Sequence, residues 1–380
     1  MVKKQKYDVA IIGSGPAGGI ASTRLAKSGL KTVLFEKEKF PRRKVCAGGV
    51  VKRALALLPD DLDYPVERRC DTFELRYHSP DLVFRESRDN IVTMVDRKAF
   101  DFSLVSYSAN KGVEIFDEIE ISALEPQKDA VQIVSGKKTF SASYVILAEG
   151  ANARLANHFW DDDRELAPAV EVDVFSSQDK LAPFMAAARL DLGLIPGGYG
   201  WIFPKNDHLS VGAGIFFGTK KGLSVAFDDY LKKLGFADQF DIRNRKGFVI
   251  PVKPRGGPFM KDRILLTGDA AGFADPITAE GITYALSSGT AAADAVSQGA
   301  SDEAKVFELY HKQIEANIVH ELNAALKFPK LIYSSSMLRS LLFRQYGERI
   351  CRGMVDIIEG KRNYREAFAS ATYLNRFFRS

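Results

Sequence analysis

A glycine-rich turn between an apolar run and a helical pattern constrains this chain more than any other feature. Residues 7–13, "YDVAIIG", have the composition of a buried parallel strand, and a G-x-G-x-x-G motif begins at the end of that run. Helical spacing over 17–27 and a second apolar run at 31–36 complete a β-α-β unit. This order predicts a Rossmann-like domain that binds a dinucleotide. The motif residues are Gly13, Gly15, Pro16, Ala17 and Gly18.

The chemistry of a dinucleotide fits these residue types. Glycine permits the tight turn and lets the backbone approach a pyrophosphate, while the amino terminus of the helix presents N–H groups and partial positive charge. Glu36 ends the second strand eighteen residues after Gly18, where a carboxylate accepts hydrogen bonds from ribose hydroxyls. We therefore assign Glu36, with the adjacent Lys37, to the adenosine half of the cofactor.

Two later segments extend the predicted site. Short apolar strands at 144–148 and 264–267 both end in an acidic residue next to glycine. A domain for NAD alone has no need of so late a segment, whereas FAD has a ribityl-phosphate arm and a ring that extend beyond the first motif. A helix that begins near residue 281 would direct its positive end at the flavin ring. The cofactor residues assigned here are Gly150, Gly268, Asp269, Gly281 and Ile282.

Five stretches carry a resemblance to a known family. They are "DVAIIGSGPAGGIAS" (8–22), "RKVCAGGV" (43–50), "VDRKAFD" (95–101), "PGGYGWIFP" (196–204) and "GDAAGFADPITAEGITYAL" (268–286). With them the chain resembles the geranylgeranyl reductases, a branch of the FAD-dependent oxidoreductases that have the para-hydroxybenzoate hydroxylase fold. The tail "VDIIEGKRNY" (355–364) is also similar.

The resemblance implies roles for residues outside the dinucleotide motif. It places the loop of Cys46, Ala47 and Gly48 beside the flavin and gives Arg97 a contact with the cofactor. It also implies the activity, which is saturation of C=C bonds in a geranylgeranyl or other isoprenoid chain by hydride transfer from reduced flavin. We find no second G-x-G-x-x-G in the sequence, so the predicted electron donor is either transiently bound NAD(P)H or a reduced ferredoxin-type carrier.

Alternating apolar and polar residues fill the regions between the cofactor segments, as in "AVEVDVF" and "LSVGAGIFF". Such alternation predicts the strands of a second, antiparallel sheet, which would cover the flavin and hold the substrate. The predicted fold class is therefore α/β plus α+β, with a helical carboxyl-terminal region. The predicted domains are a discontinuous FAD-binding domain at 1–65, 91–164 and 256–300, a substrate sheet at 66–90 and 165–255, and helices at 301–380.

The aromatic run at 199–203 points to the substrate side. On a strand, Tyr199, Trp201 and Phe203 project from one face, because side chains alternate. Three rings with few charges suit a long unsaturated prenyl chain, and they also suit a planar aromatic substrate. The alternative is an aromatic ladder in the core of the sheet. The resemblance favours the substrate site, and we assign Tyr199 and Trp201 to catalysis as well.

Cys46 is the candidate proton donor. Reduction of an isolated alkene requires a hydride and a proton, and water is scarce in an apolar tunnel. The flanking residues Arg42, Arg43 and Lys44 would favour a thiolate. The alternative is that Cys46 is only a small residue of the loop. The other cysteines, Cys70 and Cys351, have the character of structural residues, and the five histidines show no ligand spacing, so we predict no metal site.

The composition limits the cellular location and the binding partners that we expect. Three cysteines are too few for a disulfide framework, so a reducing, cytoplasmic location is expected. We find no run of about 18 apolar residues in the sequence, so we expect no membrane-spanning helix. Residues 321–380 contain eleven Lys or Arg against five Asp or Glu, in amphipathic helical patterns. These helices would bind an anionic membrane surface, attract an acidic electron carrier, pack on the main body, or cap a lipid tunnel; we predict no nucleic-acid partner.

Two classes of enzyme share the expected fold. The preferred function is an FAD-dependent reductase of a prenylated lipid or prenyl diphosphate. The alternative is an FAD-dependent monooxygenase or halogenase of an aromatic compound, because "GYGWIFP" is similar to the W-x-W-x-I-P run of halogenases, with Tyr199 and Phe203 departing from it. A third hypothesis, an FAD-stabilised lipid-binding protein, predicts no substrate-dependent oxidation of the flavin.

Overall fold

The computed structural model describes residues 5–78, 82–328 and 336–367. Residues 329–335 and 368–380 of the predicted helical region therefore lie outside the described part of the chain. The strands are β1 (Gln5–Ile12), β2 (Thr32–Phe35), β3 (Gly49–Val51), β4 (Arg68–Tyr77), β5 (Leu82–Met94), β6 (Glu114–Phe116), β7 (Ala123–Pro126), β8 (Val131–Ser135), β9 (Lys138–Leu147), β10 (Leu166–Phe175), β11 (Ala188–Leu192), β12 (Gly198–Pro204), β13 (His208–Ile215), β14 (Asp241–Pro251), β15 (Met260–Lys261) and β16 (Ile264–Leu266).

Nine α-helices and four other helical turns lie between and after the strands in the described part of the chain. Three short 3₁₀ turns lie at Ala156–His158, Ala182–Phe184 and Gly268–Ala271, and a π-helical turn at Glu315–Val319 joins the helices that precede and follow it in the sequence. The helices are α1 (Pro16–Leu25), α2 (Lys52–Leu55), α3 (Arg97–Ala109), α4 (Gln178–Leu181), α5 (Leu223–Lys233), α6 (Ile282–Gly299), α7 (Glu303–Ile314), α8 (His320–Ala325) and α9 (Ser336–Ile358).

The first sheet is the expected nucleotide-binding sheet. Its strands run in the order β15-β16-β9-β1-β2-β6, and β1 pairs in parallel with both β2 and β9. The central residues Val9, Ala10 and Ile11 are fully buried, as expected for a strand covered on both faces. Helices α1, α3 and α6 pack against this sheet, and α1 contacts both α3 and α6. Strand β8 of the β7–β8 hairpin pairs with the amino-terminal half of β9.

The second sheet has the order β14-β10-β13-β12-β11-β4-β5-β3, and every pair except β11–β4 is antiparallel. Its outer face carries Val172, Ile202 and Val211, which are buried under helix α5. Its inner face carries the aromatic residues of β12 and packs toward the first sheet. This arrangement confirms the predicted fold class, with a nucleotide sheet whose strands β16-β9-β1-β2-β6 are parallel beside a largely antiparallel sheet.

The two sheets divide the chain differently from the predicted domains at two points. Strand β3 lies within predicted segment 1–65, yet it pairs with β5 in the second sheet. The end of β5 lies within predicted segment 91–164, because the strand continues to Met94. It does so across an irregularity, where Asn90 has φ +47° and the pairing with β4 shifts register. The division into functional domains stays a prediction.

Helix α9 is docked on the second sheet. The ring of Phe343 stacks on Tyr77 with centroids 4.8 Å apart, and Cys351 and Val355 are fully buried. At the start of the helix, by contrast, the side chains of Met337 and Leu341 are 82% and 59% exposed. Among the described residues, no helix is both long enough and apolar enough to cross a membrane.

Candidate active site

The three predicted cofactor segments meet at the carboxyl edge of the first sheet. Gly13 has φ +98°, and a β-carbon there would overlap the carbonyl of Ala148 at the end of β9. A β-carbon on Gly18 would overlap the Gly13 carbonyl, so both positions require glycine. Helix α1 begins at Pro16 with no side-chain cap, which leaves its first N–H groups available to a ligand. This part of the site has the form that a pyrophosphate requires.

Glu36 lies immediately after β2, and its buried carboxylate faces the glycine turn. It accepts hydrogen bonds from the Ser14 hydroxyl at 2.5 Å and from Arg42 Nε at 2.9 Å. Burial raises the pKa of this carboxyl, but the Arg42 charge and the Ser14 hydroxyl outweigh that effect and hold the pKa below its ordinary value. The acid is therefore ionised beside the turn, as a ribose-binding carboxylate must be. Lys37 is exposed, and its predicted role stays a prediction.

A buried arginine joins the second and third cofactor segments. Arg164 donates hydrogen bonds to the carbonyl of Ala151 at 3.0 Å and to that of Asp269 at 2.9 Å. Gly268 has φ +56° and packs against the Ala17 side chain of helix α1. The loop after β16 is thus fixed next to the first motif. Arg164 was not among the predicted site residues, because no local sequence pattern identifies its carbonyl acceptors 13 and 105 positions away.

An apolar cavity of about 140 Å³ lies against the inner face of the second sheet. One wall is the loop 46–49, and another is the segment 278–282, so both predicted flavin contacts line the same space. The rest is mainly apolar and includes Met354 and Ile358 from helix α9. Of the alternatives for the carboxyl-terminal helices, the described part shows that α9 packs on the main body and contributes to the lining of the cavity.

The aromatic residues of β12 also line this cavity. The ring of Tyr199 stacks on Phe216 at 4.8 Å and meets Trp201 edge-on at 6.4 Å, and all three are buried. Phe203 lies against Gly49 of the cysteine loop, where a β-carbon would come 2.9 Å from its ring. The indole nitrogen of Trp201 is buried and has no hydrogen-bond partner among the described residues. The rings are thus at once part of the sheet core and the wall of the cavity.

The buried Arg97 interacts with Cys46. Of the flanking basic residues that were expected beside the thiol, Arg42 is bound to Glu36 and Asp101, and Arg43 pairs with Asp173 at 3.7 Å. Burial disfavours the charged form of Arg97, but Asp101, at 2.8 Å, and the Cys46 thiol outweigh it and raise its pKa. Cys46 Sγ also accepts a hydrogen bond from the Gly48 N–H at 3.5 Å.

The segment before helix α6 is tied to the opposite side of the cavity. Helix α6 begins at Ile282 with Gly281 as its cap, close to the predicted start. The Glu280 carboxylate accepts the Thr283 N–H at 2.7 Å and pairs with Arg53 of α2 at 3.2 Å. A carboxylate therefore occupies part of the helix amino terminus that was expected to face the flavin. Arg53 and Glu280 are 227 positions apart, so no local pattern relates them.

Comparisons with known proteins agree with this arrangement. The family model described as pyridine nucleotide-disulphide oxidoreductase matches residues 7–173. The digeranylgeranylglycerophospholipid reductase of Methanosarcina mazei is 31% identical and aligns over 85% of this chain and 84% of its own. The chloroplastic geranylgeranyl diphosphate reductase of Oryza sativa is 29% identical over 80% of this chain and 69% of its own.

Solved structures share the fold at lower identity. A geranylgeranyl bacteriochlorophyll reductase-like protein of Thermoplasma acidophilum has a TM-score of 0.78 at 20% identity, over 89% of this chain and 91% of its own. A flavin-dependent brominase has a TM-score of 0.76 at 18% identity, over 97% of this chain and 100% of its own. At these identities the likeness concerns the fold alone, so it does not separate reductases from halogenases.

The fold and the glycine-lined, uncapped cradle define an FAD-binding oxidoreductase. Positions that exclude a β-carbon, free N–H groups at the start of α1 and an ionised acid after β2 all fit the adenosine and pyrophosphate parts of FAD. This chain belongs to the geranylgeranyl reductase family. The resemblance identified from the sequence is thereby confirmed.

Proposed function

We propose that this protein is an FAD-dependent reductase that saturates C=C bonds in a geranylgeranyl-type chain carried by a lipid or a diphosphate. The observation that carries the proposal is the shared cavity, in which the loop 46–49 and the segment 278–282 meet the aromatic face of β12. The family relatives named as reductases of geranylgeranyl diphosphate and of digeranylgeranylglycerophospholipid support this substrate class.

The residues of the chain have separable tasks in this proposal. Gly13, Gly15 and Gly18 hold the pyrophosphate, and Glu36 holds the ribose. When bound, FAD supplies the hydride that one carbon of the double bond receives. The apolar walls exclude water and hold the isoprenoid chain, with Tyr199, Trp201 and Phe203 along one side. The second carbon needs a proton at a place without water, and the Cys46 thiol, held by Arg97 and the Gly48 N–H, supplies it.

The test of this function is anaerobic. The purified flavoprotein is reduced with dithionite and mixed with a digeranylgeranyl phospholipid, and the flavin absorbance is followed. The proposal predicts oxidation of the flavin by the lipid without oxygen. A flavin that stays reduced with prenyl lipids, yet oxidises with O₂ and an aromatic substrate to give an oxygenated or halogenated product, would establish the other class of enzyme.

The proposal extends to the membrane as the source of the lipid. Met337 and Leu341 are exposed at the start of helix α9, whose other end lines the cavity. Apolar side chains on a helix that also carries arginines suit contact with an anionic bilayer. Binding to vesicles of anionic phospholipid should weaken when both residues are replaced by serine. Unchanged binding of the double variant would remove the membrane from the proposal.

The electron donor is proposed to be NAD(P)H or a reduced ferredoxin-type carrier. Both are compatible with a chain in which we find no second dinucleotide motif. Anaerobic mixing of the oxidised flavoprotein with NADPH, NADH or a reduced ferredoxin, one at a time, separates the donors by the rate at which the flavin absorbance falls. A donor that leaves the flavin oxidised during the time in which another donor reduces it would be excluded.

A further inference from the structure

A tyrosine near the carboxyl terminus contacts the loop that lines the cavity. The hydroxyl of Tyr364 donates a hydrogen bond of 2.8 Å to Asp275 Oδ2. Both residues are buried, with 3% and 0% of their surface exposed. This contact joins segments 89 positions apart in the sequence, and nothing in the mechanism proposed above uses it.

The sequence after helix α9 fixes the position of this tyrosine. Gly360 has φ +78°, a left-handed conformation that ends the helix. Asn363 and Glu366 then form a capping box, in which the Glu366 N–H bonds to Asn363 Oδ1 at 2.9 Å and the Asn363 N–H bonds to Glu366 Oε2 at 3.2 Å. Tyr364 is the first residue of the new turn, and its own N–H donates to Glu321 Oε1 at 2.6 Å. The backbone at Tyr364 is therefore held by the capping box and by Glu321, which fixes the position of the phenol ring.

Asp275 organises the loop on the other side of the contact. Its Oδ1 accepts the N–H groups of Ile277 at 2.8 Å and Thr278 at 3.0 Å, and its N–H donates to the Glu280 carbonyl at 2.9 Å. One carboxylate therefore shapes the turn from 275 to 281, and Tyr364 holds its second oxygen. Because the turn leads directly into the residues that line the cavity, a shift of Asp275 would move that wall.

We propose that Tyr364 is a positioning residue of the flavin site, acting through Asp275 on the segment 278–282. The carboxyl-terminal segment is then part of the cofactor site and does more than cover the main body. Arg53, paired with Glu280, holds the same turn from the side of the cysteine loop. This inference rests on FAD binding, which the proposed function also requires, and it does not depend on the identity of the lipid.

The matched pair of variants is Tyr364→Phe and Tyr230→Phe. Tyr230 also donates to a buried aspartate, Asp191, at 2.6 Å, but it lies on the outer face of the second sheet. Each variant loses one hydroxyl and one hydrogen bond to a carboxylate. FAD affinity is measured by fluorescence titration of the apoprotein, and the environment of the flavin by visible circular dichroism, both without lipid.

The Tyr364→Phe variant should bind FAD roughly tenfold more weakly, since one hydrogen bond to a charged group no longer holds the turn. Its flavin dichroism should also change, whereas Tyr230→Phe should bind FAD within about twofold of the wild type. An unchanged affinity and spectrum in a folded Tyr364→Phe protein would overturn the inference, as would a wild-type chain that binds no FAD.

The conservative variant Asp275→Asn tests the same contact in case the Tyr364→Phe protein does not fold. Asp275→Asn keeps an oxygen for the two loop N–H groups and presents an amide that donates to the Tyr364 oxygen. The inference predicts FAD affinity between those of the wild type and Tyr364→Phe. Affinity below that of Tyr364→Phe would show that the charge of Asp275, and not its bond to Tyr364, sets the loop. A protein that binds FAD as expected but reduces no lipid would contradict the proposed function and leave this inference standing.

Discussion

The indole ring of Trp201 lies over Gly212 of the neighbouring strand, in the space that a side chain at Gly212 would fill. A β-carbon there would overlap the ring and would also come 2.6 Å from the Val170 carbonyl. The absence of a side chain on β13 thus allows Trp201 to lie flat against the sheet. The shape of the cavity wall is set by a glycine that sequence analysis assigned only to a strand.

Gly212→Ala should therefore displace Trp201 and change the cavity. Overpacking of this kind costs about 1–3 kcal/mol of stability, and prenyl-lipid reduction should fall while FAD affinity stays the same. The control is Gly247→Ala in the same sheet, where the nearest atom to the new β-carbon is 3.8 Å away. Thermal unfolding and turnover are compared for both variants. Equal effects of the two substitutions would mean that Trp201 does not define the substrate wall.

Replacement of Cys46 tests whether its thiol donates the proton or whether the residue is only a small member of the loop. If its thiol supplies the proton, Cys46→Ala should slow lipid reduction by roughly a hundredfold or more while FAD still binds. Cys46→Ser should retain part of the rate, because a hydroxyl is a weaker acid in the same place. The rate of flavin oxidation by lipid is measured in a single anaerobic turnover. A rate for Cys46→Ala within about threefold of the wild type would leave the residue as cavity wall only.

Glu36→Gln should weaken FAD binding by about tenfold or more, because a neutral amide replaces the acceptor beside the glycine turn. The pH dependence of stability follows from the lowered pKa of the carboxyl. Its stabilising effect is fully present above the ordinary value of 4.5 and is lost as pH falls through the lower folded value. The melting temperatures of wild type and variant should converge on acidification from pH 7 to pH 3. Glu38→Gln, at an exposed neighbour, should show no such convergence.

The opposite dependence of stability on pH is expected for Glu171. It is buried on the inner face of the second sheet, and burial raises its pKa to about 7, opposed by the charge of Lys205 and by Ser210. Asp173 raises the value further, Arg43 lowers it, and Lys246 lies opposite on β14. A raised folded pKa gives stability that is complete below the unfolded value and is lost as pH rises through the folded one.

The Glu171→Gln protein should therefore gain stability relative to the wild type between pH 5 and pH 8, on the order of 3 kcal/mol at the upper end. Urea unfolding at several pH values measures the difference. Asp173→Asn, two residues along the same strand and more exposed, is the control and should show no comparable gain. A difference between Glu171→Gln and wild type that stays constant with pH would mean that Glu171 is ionised throughout this range.

Short sequence patterns predict much of the local structure of this molecule. The glycine turn, strands β1 and β2, the start of helix α6 and the aromatic face of β12 are encoded in short stretches, where periodicity and turn residues determine structure. The contacts that complete the site join distant segments, such as Arg53 with Glu280 and Tyr364 with Asp275. Such contacts depend on how helices pack on sheets, which a single sequence does not reveal. The interaction of Arg97 with Cys46 is another such contact, and the adjacent arginines bind elsewhere.

The mass of the lipid product tests the central claim most directly. The anaerobic, dithionite-reduced flavoprotein is mixed with a digeranylgeranyl phospholipid, and the lipid is analysed by mass spectrometry. Saturation of a double bond adds two hydrogens, so products heavier by about 2 Da per step, one step per flavin oxidised, are expected. A lipid of unchanged mass from a flavoprotein that inserts oxygen or halogen into an aromatic compound would contradict the assignment as a prenyl reductase.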